Sequence, residues 1–151
     1  MPIRSNTAIF NLWRIKRVIP IRLFSIVSNA WFTKLSTPVE IDWTFIYFYE
    51  ALKDMIVIEN ITSAKIQAQL SVSAGTAYLQ LYDYTAGEVV TEISTTNVIK
   101  GIYTIKELNL EDFINRVLDN HEFVLRAYNI PGGTTYYTFV GNVTLWVEEV
   151  I

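Results

Sequence analysis

AKIQAQLSVSAGTAYLQLYDY, residues 64–84, decides the reading of this chain. Ala64, Ile66, Ala68, Leu70 and Val72 fall on one side of a first run, with Lys65, Gln67, Gln69 and Ser71 on the other. In a second run Ala77, Leu79 and Leu81 oppose Tyr78, Gln80, Tyr82 and Tyr84. Alternation with period two marks half-buried strands. The Ser73-Ala74-Gly75 step between the runs predicts a turn that makes them a hairpin.

Working outward, the same pattern recurs. Val39 to Tyr49 alternates through Ile41, Trp43, Phe45 and Tyr47 and predicts one long strand. Met55 to Ile58, Glu88 to Ile93 and Val98 to Ile105 predict further strands, and Phe123 to Tyr128, Thr134 to Val140 and Val143 to Val147 complete the set. Gly141-Asn142 between the last two reads as a turn or a bulge. Asn109 ahead of Glu111 and Asp112 predicts a capped helix over about 110–118, with Phe113, Ile114, Val117 and Leu118 as its apolar stripe. Short strands separated by turn residues, with one short helix, predict an all-β protein: an antiparallel, jelly-roll-like β-sandwich.

The 151 residues suit one domain with a substantial core, and half of them are hydrophobic. The net charge of -3 hides a division. Residues 1–38 carry six Lys and Arg and no acid, and the remaining residues carry six against fifteen acids. That asymmetry has two readings: the two parts neutralise each other in the fold, or a basic arm meets something acidic outside it. The division predicts a basic apolar arm over 1–37 and a sandwich over 38–151. In the arm, Asn6 caps a predicted helix over Thr7 to Val18, ended by Pro20. Ile21 to Phe32 is too short to span a bilayer. Arg14, Lys16, Arg17 and Arg22 interrupt the uncharged core a cleaved signal needs, so a basic, acid-free transit peptide fits that composition better.

Catalytic chemistry finds no constellation here. Without cysteine there is no disulfide, thiolate metal site or thiol nucleophile in this sequence. His121 is the sole histidine, and it reads as an exposed residue at a helix end, with no nucleophile motif to join. Loop acids such as Asp83, Glu88 and Asp112 lack the spacing of a calcium loop. Neighbouring Glu148 and Glu149 point to opposite faces of a strand. No catalytic residue, metal ligand, cofactor or small-molecule substrate is expected, and the protein is expected not to be an enzyme.

Strand parity points instead to a surface. Tyr78, Tyr82 and Tyr84 face outward if Leu79 and Leu81 face in, and the same parity turns out Arg126, Tyr128 and Trp146. Exposed Tyr, Trp and Arg suit protein interfaces and stack on sugar rings. The alternative is an outer layer that covers them.

GTAYLQLYDYTAGEVVTEISTT (Gly75 to Thr96) and FVLRAYNIPGGTTYYTFVGNVTLWVEE (Phe123 to Glu149) resemble a β-sandwich, jelly-roll-like module of virion, tail and cell-surface proteins of bacterial and archaeal viruses and their hosts. The shared pattern is a Gly-Thr-Ala-Tyr strand, a Leu-Tyr-Asp turn, a Glu-x-Ser-Thr-Thr loop and a final Gly-Gly-Thr hairpin. The resemblance implies a sandwich and a virion or extracellular surface location, and brings over no catalytic residue. The helix at 110–118 and the basic N-terminus depart from the module.

The resulting expectation is a structural subunit of a viral particle or surface assembly. Its N-terminal arm, bearing Arg4, Trp13, Arg14, Lys16, Arg17, Arg22 and Trp31, would bury its apolar residues against copies of itself or other subunits. Anionic membrane and nucleic acid are the other partners that such an arm suits. The alternative function is a carbohydrate-binding module built on Tyr78, Tyr82, Tyr128 and Trp146.

Overall fold

The computed structural model describes residues 16–25 and 31–150. Its ten strands are β1 (Lys16–Phe24), β2 (Trp31–Thr33), β3 (Val39–Glu40), β4 (Ile46–Tyr47), β5 (Ile61–Val72), β6 (Thr76–Asp83), β7 (Glu88–Thr95), β8 (Tyr103–Glu107), β9 (Glu122–Ile130) and β10 (Thr138–Val150). A short helix α1 (Phe48–Leu52), a 3-10 turn (Ile58–Asn60) and helix α2 (Leu110–Leu118) interrupt them. One sheet, A, runs β1-β10-β5-β8, with β2 beside β10. The other, B, runs β3-β9-β6-β7, with β4 beside β9. All pairs are antiparallel. The chain crosses between sheets after β2, β4, β5, β7, β8 and β9, which is the jelly-roll form of an all-β sandwich.

The defining stretch folds as two strands, as its alternation requires, but not as a hairpin. β5 belongs to sheet A and β6 to sheet B, so Ser73-Ala74-Gly75 arches across the core. Ile66 and Leu70 on one strand and Leu79 and Leu81 on the other therefore approach the core from opposite sides. Each such side chain contributes about 1.5–3 kcal/mol on burial. Gly75 is required at the arch: its φ is +76°, and a Cβ there would stand 2.6 Å from the Ile130 carbonyl oxygen.

Three other strand expectations are corrected. Val39 to Tyr49 is not one strand: β3 stops at Glu40, a turn over Ile41 to Thr44 follows, and β4 lasts two residues before α1. The Thr44 hydroxyl donates to the Ile41 carbonyl at 2.7 Å and accepts from the Leu125 amide at 3.1 Å, so both ends of the turn are held to β9. Met55 to Ile58 is likewise not a strand but a connection into the 3-10 turn, and 98–102 is loop before β8. Helix α2 forms as expected, with the Asn109 side chain accepting from the Asp112 amide at 3.1 Å. Gly141-Asn142 is a bulge inside a continuous β10.

The N-terminal expectation changes most. Lys16–Phe24 is an edge strand paired along β10, with Ile19 and Leu23 in the core, so the helix predicted to reach Val18 gives way to strand there. Pro20 sits within β1 because an edge strand leaves one side without ladder bonds. The boundary expected at 37/38 falls inside the sandwich, since β1 and β2 complete sheet A. The rest of the predicted helix lies outside the described residues.

Candidate functional site

The outward face of sheet B carries most of the aromatic residues predicted to form a site, and it is closed on itself. Tyr78 and Tyr128 are cross-strand neighbours with parallel rings 4.6 Å apart. In the next row Arg126 donates through Nε and Nη2 to Gln80 Oε1 at 3.1 and 2.7 Å, and its guanidinium lies 3.6 Å over the Tyr82 ring. Gln80 Nε2 and the Tyr128 hydroxyl both donate to Glu92 Oε2 at 2.8 Å. Burial, and then the bond to Glu92, push the Tyr128 hydroxyl up to about 12. Val124, partnered with Tyr82, is fully buried on this face. Tyr84 stands past the strand end, exposed, edge-on to Phe45 at 5.3 Å.

Trp146 belongs to the other side of the molecule, on β10 of sheet A. The four rings expected to form a sugar platform are thus divided between two sheets, and two of them stack on each other.

His121 is not the exposed helix-end residue expected. Its Nδ1 lies 2.6 Å from Oδ2 of the fully buried Asp83. The same oxygen accepts from Arg116 Nη1 at 2.9 Å, and Oδ1 accepts from the Ala86 amide at 2.9 Å. Burial alone would push the Asp83 carboxyl up, but these bonds from His121, Ala86 and Arg116 hold it below the ordinary carboxylate range. Arg116 also donates to Asp112 at 2.9 Å, and that bond, with the one to Asp83, raises its own pKa. The cluster ties α2 to β6 and to the β6–β7 turn. Among the described residues no hydroxyl is hydrogen-bonded to His121, and no group of three His, Cys, Asp or Glu is placed to hold a metal ion.

Among the described residues the outward face of sheet A is open. Its register sets Pro20, Trp146, Lys65 and Glu107 in one row across β1, β10, β5 and β8, and Arg22, Thr144, Gln67 and Ile105 in the next. Trp146 Nε1 donates to Gln67 Oε1 at 2.7 Å, which fixes the indole against the sheet. Beside it lies a groove of about 340 Å³ walled by Val18, Trp146 and Ile105, with Ser63, Lys65 and Glu148 along it. Val18 is 53% exposed and Ile105 60%. A smaller hollow of about 150 Å³ continues the face at Arg22, Tyr103, Asn142 and Thr144. In the β7–β8 loop and at the start of β8, Val98, Ile99, Ile102 and Tyr103 are also exposed.

Of the residues expected to form an assembly arm, Arg4, Trp13 and Arg14 lie outside the described residues. Lys16 and Arg17 pair with Glu148 and Glu149 of the same chain at 3.3 and 2.8 Å, so part of the charge asymmetry is neutralised internally. Trp31 packs half-buried against the core from β2. Arg22 has no acidic partner among the described residues. Sequence reasoning missed Val18 and Ile105, because an exposed apolar position on an edge strand has the same letter as a buried one. It also missed Trp43, which lies at the tip of the Ile41–Thr44 turn, 90% exposed.

None of the described helices is long and apolar enough to cross a membrane. No protein-family model matches the sequence, and no curated protein matches it. Nine chains of solved structures match. One comes from work on Bacillus endospore appendages, a novel family of disulfide-linked pili, and is similar with a TM-score of 0.40 and 11% identity, over 91% of this chain and 88% of that one.

Proposed function

We propose that this chain is a non-enzymatic structural subunit of a virion or another extracellular surface assembly, whose copies meet through the outward side of sheet A and the residues before Lys16. The supporting observation is a run of exposed apolar residues. Val98 and Ile99 are 65% and 61% exposed, and they run on through Ile102, Tyr103 and Ile105 at a sheet edge. Exposed apolar side chains on an edge strand and the loop leading into it suit association, which removes both the side chains and the free backbone groups from water. The sequence before Lys16 also carries apolar Ile9, Phe10, Leu12 and Trp13 with the cations Arg4 and Arg14.

The test compares the full chain with one starting at Lys16, by sedimentation across protein and salt concentration. Deleting residues 1–36 would instead remove β1 and β2. The full chain is expected to associate, and the shortened one to stay folded and associate more weakly. If both remain the same compact monomer throughout, the proposal fails. Binding of Arg4 and Arg14 to anionic vesicles or duplex DNA, steeply weakened by salt, would give the segment a different partner.

A further inference from the structure

We infer that the Trp43 turn of one copy seats in the sheet A groove of another. This rests on the assembly reading above and names the contact. Trp43 has φ of +68°, a left-handed conformation that a bulky residue rarely adopts. The turn is nonetheless held at both ends, by Ile41 donating to the Leu125 carbonyl at 2.8 Å and by the Thr44 hydroxyl. So the fold fixes a strained backbone and presents an indole that is 90% exposed among the described residues. Strain held in place by its surroundings is characteristic of functional sites, and Trp is enriched where interfaces concentrate their binding energy.

Chemistry selects the counterpart. Asp42 adjoins Trp43 and Glu40 lies three residues before it; both are exposed and form no ion pair among the described residues. The receiving surface therefore needs an apolar slot edged by cations that are not already neutralised. The groove beside Trp146 has apolar walls in Val18 and Ile105, and its volume of about 340 Å³ suits one large side chain. Arg22, in no ion pair among the described residues, stands in the same cross-strand row as Gln67 and Ile105. Lys65, on the groove itself, has Glu107 only at 3.7 Å. The groove's acid, Glu148, is neutralised by Lys16 at 3.3 Å. On the closed face of sheet B the cation, Arg126, is already engaged by Gln80 and the Tyr82 ring. Turn and groove are unlike surfaces, so each copy carries both halves of a head-to-tail contact.

Sedimentation of full-length variants tests it. Trp43→Ala and Ile105→Glu change exposed side chains, and a thermal melt checks that each folds. Each alone should weaken association by about tenfold or more. Mixing them should restore pairing, because one retains the groove and the other the indole. Asp42→Lys should weaken association and Arg22→Glu in the same chain should recover it. Wild-type association by Trp43→Ala, or a mixture no more associated than its parts, overturns the contact. If Trp43→Ala associates normally while the chain starting at Lys16 does not, assembly stands and this contact falls. A full chain that never associates removes both.

Discussion

The two outward faces of the sandwich carry similar residues to different ends. On sheet B, tyrosines, a glutamine, a glutamate and an arginine stack on and hydrogen-bond one another, so Arg126, Gln80, Glu92 and Tyr128 form one closed network. On sheet A a tryptophan, glutamines, a lysine and an arginine lie beside exposed Val18 and Ile105, and Arg22 has no acidic partner among the described residues. Residue type alone would nominate either face as a binding surface. What distinguishes them is whether side chains already satisfy each other. A face whose donors and rings are paired internally gains little from a ligand, because each new contact must first break an existing one.

The sharpest way to break the closed side is at Asp83, next to Tyr82 on β6 but pointing inward. Asp83→Ala leaves Arg116 and His121 without their shared carboxylate and should lose about 3–5 kcal/mol in urea denaturation. The same group sets an acid limit. Its pKa is depressed on folding, so its contribution is full above an unfolded value of about 3.9 and is lost as pH falls through the lower folded value. Wild-type urea midpoints should therefore drop from about pH 5 toward pH 2 more steeply than those of Asp83→Asn.

Arg126→Ala comes next. It removes the cation from Tyr82 and two bonds from Gln80, and should destabilise by about 2 kcal/mol. A smaller effect lies at high pH. The Tyr128 hydroxyl, pushed up to about 12, favours the folded state below about pH 10 and loses that advantage as pH rises toward its folded value. Tyr128→Phe should flatten that alkaline loss of stability. The open side should respond least: Ile105→Ser should stay within about 0.5 kcal/mol of wild type. Trp43→Gly, which relieves a left-handed backbone, should gain up to about 1 kcal/mol.

The alternation of Ala64 to Val72 and Ala77 to Leu81 revealed two strands and which face each buries. It left open whether those faces lie side by side in one sheet or across the core, because both arrangements bury the same residues. Asn109 and the acids after it announced α2 because a cap acts locally. Val39 to Tyr49 misled because apolar residues occupied both parities. Its buried residues, Ile41, Thr44 and Phe48, are spaced three and four apart, as a turn leading into a helix requires. Val18 to Leu23 concealed an edge strand because Pro20 and the flanking cations resemble the end of a helix. The open groove was illegible, since Trp146, Ile105 and Val18 come from β10, β8 and β1 and meet only through sheet register.

The central claim is that sheet A's outward side is an interface and sheet B's is internal structure. Oxidative footprinting of the full chain, dilute and concentrated, reads both sides at once by mass spectrometry. Concentration should protect Trp43, Val18, Ile105 and Trp146 and leave Tyr78, Tyr82 and Tyr128 unchanged. Protection of the tyrosines alone, or no protection of the sheet A residues at any concentration, would contradict it.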